Sequence, residues 1–179
     1  MKKLDIIVCN DGRVPGIDEA LQAARKQGLS GDALRVYVCE KINLDGSLCR
    51  HLRGQGHNVT LFDGYSGSNF KTQIKDAVRL ANEIAALIIA KEATCMTLDL
   101  NWFKDFQMGI EILRNLRRLK VIPVDMKDRI LIYSRYTNDP SFNYEEILTK
   151  ELGVRKENIL NRNGVNITTV AEIIQKWAD

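Results

Sequence analysis

Thr97-Leu98-Asp99-Leu100-Asn101 closes an apolar run on an acid, and Gly109-Ile110-Glu111-Ile112-Leu113-Arg114-Asn115-Leu116-Arg117 follows with helical spacing of its apolar residues. A strand that ends on a carboxylate and leads into a helix is half of a βαβ unit, and in an open parallel sheet the carboxyl edge is where ligands and chemistry gather. Asp99 is therefore the first candidate for a functional residue. A rival register reads Ala85-Ala86-Leu87-Ile88-Ile89-Ala90 as the buried strand and puts Lys91 at its edge. Against it, Phe70, Ile74, Val78, Ala81, Ile84 and Ile88 keep a helical stripe through that segment, so it reads as helix.

Working outward, β-branched runs predict strands at Leu4 to Cys9, Leu34 to Cys39, Asn58 to Phe62, Thr94 to Leu98, Arg129 to Ser134 and Asn158 to Leu160. Helical periodicity covers Ile17 to Lys26, Gly46 to Arg53, Asn69 to about Glu92, Met108 to Leu119, Tyr144 to Leu152 and Thr168 to Trp177. Gly28 and Gly153 fall just past helix ends, and Asn166-Ile167-Thr168-Thr169 supplies cap residues for the last helix. Strands alternating with helices predict a doubly wound, mainly parallel α/β sheet of flavodoxin-like layout.

At 179 residues, 45% hydrophobic and 27% charged, the chain reads as an ordinary globular domain with no apolar stretch long enough for a membrane span. The run Ile6-Ile7-Val8-Cys9 stops at Asn10-Asp11 and is too short for a signal peptide, so a cytoplasmic protein is expected. Cys9, Cys39, Cys49 and Cys95 lack zinc-like spacing and are expected as reduced, buried thiols. A net charge of +3 gives no ground for a nucleic-acid partner. The cluster Arg114, Arg117, Arg118 and Lys120 suits the carboxyl end of a helix, where cations complement the dipole. His51 and His57 have no ligand-spaced partner and read as surface residues, and Asn10-Asp11-Gly12 reads as a turn.

Together these segments resemble the receiver domains of two-component response regulators. Arg35-Val36-Tyr37-Val38-Cys39-Glu40 resembles the first receiver strand with its acidic end, and Leu98-Asp99-Leu100-Asn101 the phosphoacceptor strand and loop. Ile130-Leu131-Ile132-Tyr133-Ser134 resembles the strand ending in the switch hydroxyl, and Asn158-Ile159-Leu160-Asn161-Arg162 falls where the family has its last strand and a lysine. The resemblance implies Asp99 as phosphoacceptor, magnesium held by Glu40, Asp99 and the Asn101 carbonyl, and Ser134 and Arg162 on the phosphoryl oxygens. It also makes residues 34–179 the receiver-like domain and residues 1–33 a βα extension with its strand at a sheet edge.

Two departures from the family pattern qualify that picture. Receivers carry two adjacent acids where this chain has Glu40-Lys41, so Lys41 removes a metal ligand and brings a cation toward Asp99. Arg162 keeps the charge of the family's lysine but offers a planar fork instead of a point charge. The expectation is a stand-alone, atypical receiver-like signalling protein with weak or lost phosphorylation. It would act through protein contacts with a histidine kinase or downstream signalling protein, with homodimerisation left open. The alternative is a small-ligand or phosphate-binding enzyme on the same layout, using Gly64-Tyr65-Ser66-Gly67-Ser68-Asn69 as an anion loop. Trp102 and Phe103 lie in the enlarged loop over the site, where they would shield it or offer a contact.

Overall fold

The computed structural model describes residues 2–11, 16–42, 45–66, 72–102, 105, 107–138 and 142–179. Five strands form one all-parallel sheet: β1 (Asp5–Cys9), β2 (Asn58–Phe62), β5 (Cys95–Leu98), β6 (Ile130–Ser134) and β7 (Ile159–Asn161). Their order is β2-β1-β5-β6-β7, and β3 (Tyr65–Ser66) and β4 (Thr72–Gln73) make a separate antiparallel pair. The α/β doubly wound, flavodoxin-like class is thus what the chain adopts.

Period-two alternation divides the sheet's side chains between two cores. Ile7, Cys9, Met96, Leu98, Ile130 and Ile132 point to the face covered by α4 (Ala77–Ala90) and α5 (Met108–Leu119). Tyr144 and Leu148, from α6 (Tyr144–Glu146) and the π-helical turn Ile147–Glu151 that continues it, close the same core. Leu4, Ile6, Val8, Cys95, Leu131 and Tyr133 point the other way, onto α3 (Gly46–Gly54) and α7 (Ile167–Gln175). A third cluster joins α1 (Ile17–Lys26) to α2 (Gly31–Ile42) through Ala20, Ala24, Val38 and Ile42, with Tyr65 beside it.

Two expectations about the amino-terminal third are corrected. Leu34 to Cys39 is not a strand but lies within α2, whose buried residues Val38, Cys39 and Ile42 fall on one side of a helical turn. Consequently β1 is no edge addition to a receiver plan that begins at Leu34. It pairs with β2 on one side, Ile7 opposite Thr60, and with β5 on the other, Ile7 opposite Met96, and is the first of the five strands.

Elsewhere the helices Ile17–Lys26 and Met108–Leu119 fall where the periodicity predicts them. Ala85 to Ala90 is helix, as the apolar stripe implies, but α4 begins only at Ala77, where the Asp76 carboxylate accepts from the Arg79 amide. The predicted start at Asn69 and the stripe residue Phe70 lie outside the described residues. Asn166 caps α7 by accepting from the Thr169 amide. Among the described residues no helix is long and apolar enough to cross a membrane.

Candidate functional site

The strand order reverses between β1 and β5, and the crevice beyond their carboxyl ends is the switch point of such a sheet. Backbone bonds continue the ladder past the strand ends and fix what stands there. The Asn10 amide donates to Phe62 O (3.1 Å), the Asp99 amide to Cys9 O (3.0 Å) and the Arg162 amide to Ser134 O (2.9 Å). Asn10, Asp99 and Arg162, distant in sequence, are thereby locked to one edge of one sheet.

Arg162 is the centre of the cluster. Its guanidinium lies 4.4 Å over the Tyr133 ring, and Nη2 donates to Tyr133 O at 2.9 Å and to Asp45 Oδ2 at 3.0 Å. The same nitrogen stands 3.5 Å from Asp99 Oδ2. All three charged side chains are at least nine-tenths buried, with 9% exposure for Arg162 and for Asp99 and 3% for Asp45. Asn10 Nδ2 donates to the same Asp45 oxygen at 2.9 Å. Burial pushes the Asp45 carboxyl above the usual carboxylate range; Arg162 and the Asn10 amide pull it back less strongly, and the Asp99 charge pushes it up again.

The loop after β5 is pinned from three sides. Asp99 Oδ1 accepts from the Asn101 amide at 3.1 Å, and the Trp102 indole donates to Asp99 O at 2.8 Å. Trp102 is fully buried and packs on Phe62, with ring centroids 5.9 Å apart, so it braces the loop from inside. Phe103 lies outside the described residues. Gly109 closes the loop: its amide donates to Leu100 O at 2.9 Å, and a Cβ there would overlap the Asp99 carbonyl oxygen and stand 2.5 Å from Leu100 Cα.

Of the residues named from sequence, Asp99 and Arg162 come together, and Ser134 is buried at the end of β6 with its hydroxyl accepting from the Tyr136 amide at 3.5 Å. Glu40 does not join them as a metal ligand. It sits in α2 and pairs with Arg53 and, at 3.9 Å, with Arg50, both on α3. Lys41 is exposed on the same helix, 5.5 Å over the Tyr37 ring. The cation held against Asp99 is therefore Arg162, and the acid that completes the cluster is Asp45.

Asp45 was not legible in the sequence. An aspartate before Gly46 at a helix start reads as a cap, yet its side chain makes no cap bond and turns inward. The backbone packs too closely there for a side chain at the next position, since a Cβ on Gly46 would collide with Glu40 O. Asn10 did carry a signal, as the first residue beyond an apolar strand, but only the central place of β1 makes that signal functional. Gly12, which completes the predicted turn, lies outside the described residues, as do Gly67, Ser68 and Asn69 of the anion-loop alternative.

The ligand set expected for magnesium is not assembled: Glu40 is paired with Arg53 and Arg50, Asp99 Oδ1 accepts from the Asn101 amide, and Oδ2 faces the Arg162 guanidinium at 3.5 Å. Among the described residues, no group of three His, Cys, Asp or Glu side chains could hold a metal ion.

A second buried carboxylate closes the end of β2. Asp63 accepts from Arg35 at 3.0 Å and from the Cys39 thiol at 2.8 Å. Burial, reinforced by the Asp63 charge, pushes the Cys39 thiol far up, so it serves as a hydrogen-bond donor and not as a nucleophile. His57 is also buried, against the surface expectation: Nδ1 accepts from the Leu4 amide at 3.3 Å and Nε2 meets Gln175 Oε1 at 3.1 Å. It links Leu4, the residue before β1, to α7. No protein-family model, curated protein or solved structure matches the chain.

Proposed function

We propose that this chain is a receiver-like signalling protein whose switch-point aspartate is held by an internal arginine, and which acts through protein contacts with phosphorylation of Asp99 weak or lost. The observation that carries this reading is the Asp45–Arg162–Asp99 cluster at the β1/β5 switch point. The order of the five sheet strands agrees with a receiver plan when β1 is its first strand. On that register Asn10-Asp11 follows the first strand in place of the acid pair, and Arg162 follows the last strand in place of the lysine.

Arg162 supplies from inside the protein the positive charge that an incoming phosphoryl group would otherwise draw on, and it keeps Oδ2 of Asp99 occupied. Nucleophilic attack by that oxygen requires breaking a buried ion pair, which raises the barrier. The partners that suit this reading are a histidine kinase or another signalling protein meeting the face built around β6 and β7. The test is incubation of the full chain with magnesium and a small acyl phosphate, followed by intact mass and amide NMR spectra. The expected result is less than one phosphoryl group per chain and an unchanged spectrum around Ser134 and Arg162. Stoichiometric addition at Asp99 would overturn the held-aspartate reading.

A further inference from the structure

The opposite end of the sheet carries a second concentration of charge. Helix α5 starts beside Asp99 and runs back along the sheet for 12 residues, about 18 Å, so its last turn lies far from the switch point. There a cleft of about 370 Å³ opens between Arg114, Arg117 and Arg118 on α5 and Glu151, Leu152 and Gly153 at the end of the π-helical turn.

The three arginines are not equivalent. Every guanidinium nitrogen of Arg114 is engaged: Nε and Nη2 donate to the two Glu151 oxygens at 2.6 and 2.7 Å, and Nη1 donates to Glu111. Glu151, the acid lining the cleft, is thereby consumed. Nε and Nη2 of Arg117 are buried and meet no hydrogen-bond acceptor among the described residues. Arg118 is exposed on the neighbouring turn. Asp128, which acts on Arg117 through space, is itself hydrogen-bonded to Arg155 at 2.7 Å.

Complementing the helix dipole explains cations at this end of α5, but such cations remain hydrated or reach the last carbonyls. It does not explain why two of the three guanidinium nitrogens of Arg117, Nε and Nη2, are buried without an acceptor. We propose that this cleft binds a dianionic phosphate group, with Arg117 and Arg118 as its ligands and the Arg114–Glu151 pair as its fixed wall. Three guanidiniums against Glu111 and Glu151 leave the cleft net positive, and two planar forks suit tetrahedral oxygens better than point charges do. The group is either free phosphate or the phosphate of an organic monoester.

The test titrates the full chain at low ionic strength with inorganic phosphate, phenyl phosphate and nitrate, reading arginine Nε–H resonances and binding heat. Saturable binding of both phosphates, with shifts at Arg117 and Arg118 and not at Arg162, is expected. Added salt should weaken it, and Arg118→Gln and Arg117→Gln should each weaken it about tenfold or more. Because Arg118 is exposed, its variant keeps the wild-type melting temperature, which separates lost binding from lost fold. Preference for phenyl phosphate identifies a monoester site, and equal affinity a site for free phosphate. Absence of saturation, an equal response to nitrate, or shifts confined to Arg162 would overturn the proposal. Since the readout separates Arg117 from Arg162, the result stands independently of what happens at Asp99.

Discussion

Arg162 holds two carboxylates that share the interior with it, so its removal leaves buried charge without a counter-ion. Arg162→Gln should cost about 3–5 kcal/mol at neutral pH, measured by denaturant unfolding. Asp45 sets the pH dependence. Its folded-state pKa is raised by burial above the unfolded value, so the folded state holds that proton more tightly. The contribution of Asp45 is most favourable below the ordinary carboxylate value and declines as pH rises through the folded value. Removing Arg162 takes away the strongest effect that lowers that pKa, so the variant should regain stability on acidification from neutral pH by more than the wild type does. Equal denaturation midpoints for variant and wild type at neutral pH would show that the cluster is not under charge stress. Asp45→Asn should cost less than Arg162→Gln in denaturant unfolding at neutral pH, because the amide removes a charge whose burial is only partly offset and keeps an acceptor oxygen for Arg162 and Asn10. The four cysteines are free and buried, with the Cys49 and Cys95 thiols pushed up to about 12 by burial. A disulfide-exchange reagent should leave all four unmodified in native buffer and label four per chain in denaturant.

At the scale of elements, β5, its loop and α5 form the most legible unit, because acid, loop and helix follow in sequence and each is fixed by local pattern. Gly109 is its hinge of close approach, where helix and loop backbones touch without room for a side chain. Gly109→Ala should displace the loop holding Asp99, costing about 1–3 kcal/mol and shifting the Trp102 fluorescence as its indole loses the Asp99 carbonyl. An unchanged emission spectrum and midpoint would mean the loop adjusts freely. Helix α2 is the contrasting case. Leu34-Arg35-Val36-Tyr37-Val38-Cys39 has the β-branched and aromatic content of a strand, and its alternation is as good as that of β1. Asp32 in the first turn and Lys41 in the last favour a helix electrostatically. What decides is that Val38, Cys39 and Ile42 find a partner surface on α1 and Tyr65, which no local pattern reveals.

The whole molecule is a sheet with two poles, one holding the Asp45–Arg162–Asp99 cluster and the other the arginine cleft. Its integrity depends on β1, which carries hydrogen bonds on both edges and contributes buried side chains to both faces. A fragment of residues 34–179 should therefore fail to show a cooperative unfolding transition, and a folded fragment would contradict the central place of β1. The resemblance to receiver domains paired Asp99 with Arg162; the patterns of the sequence itself determined the α/β class, the register in which Ala85 to Ala90 is helix, and the exact spans of α1 and α5. Those properties follow from periodicity and from strand ends, which are written in neighbouring residues. Only the tertiary structure decided that Leu34 to Cys39 is helical, that β1 is central, that Glu40 and Lys41 face α3 and Tyr37, and that Asp45 completes the cluster. Each of these depends on which surface a segment meets across the fold, and a buried ion pair between residues 117 positions apart leaves no trace in either neighbourhood.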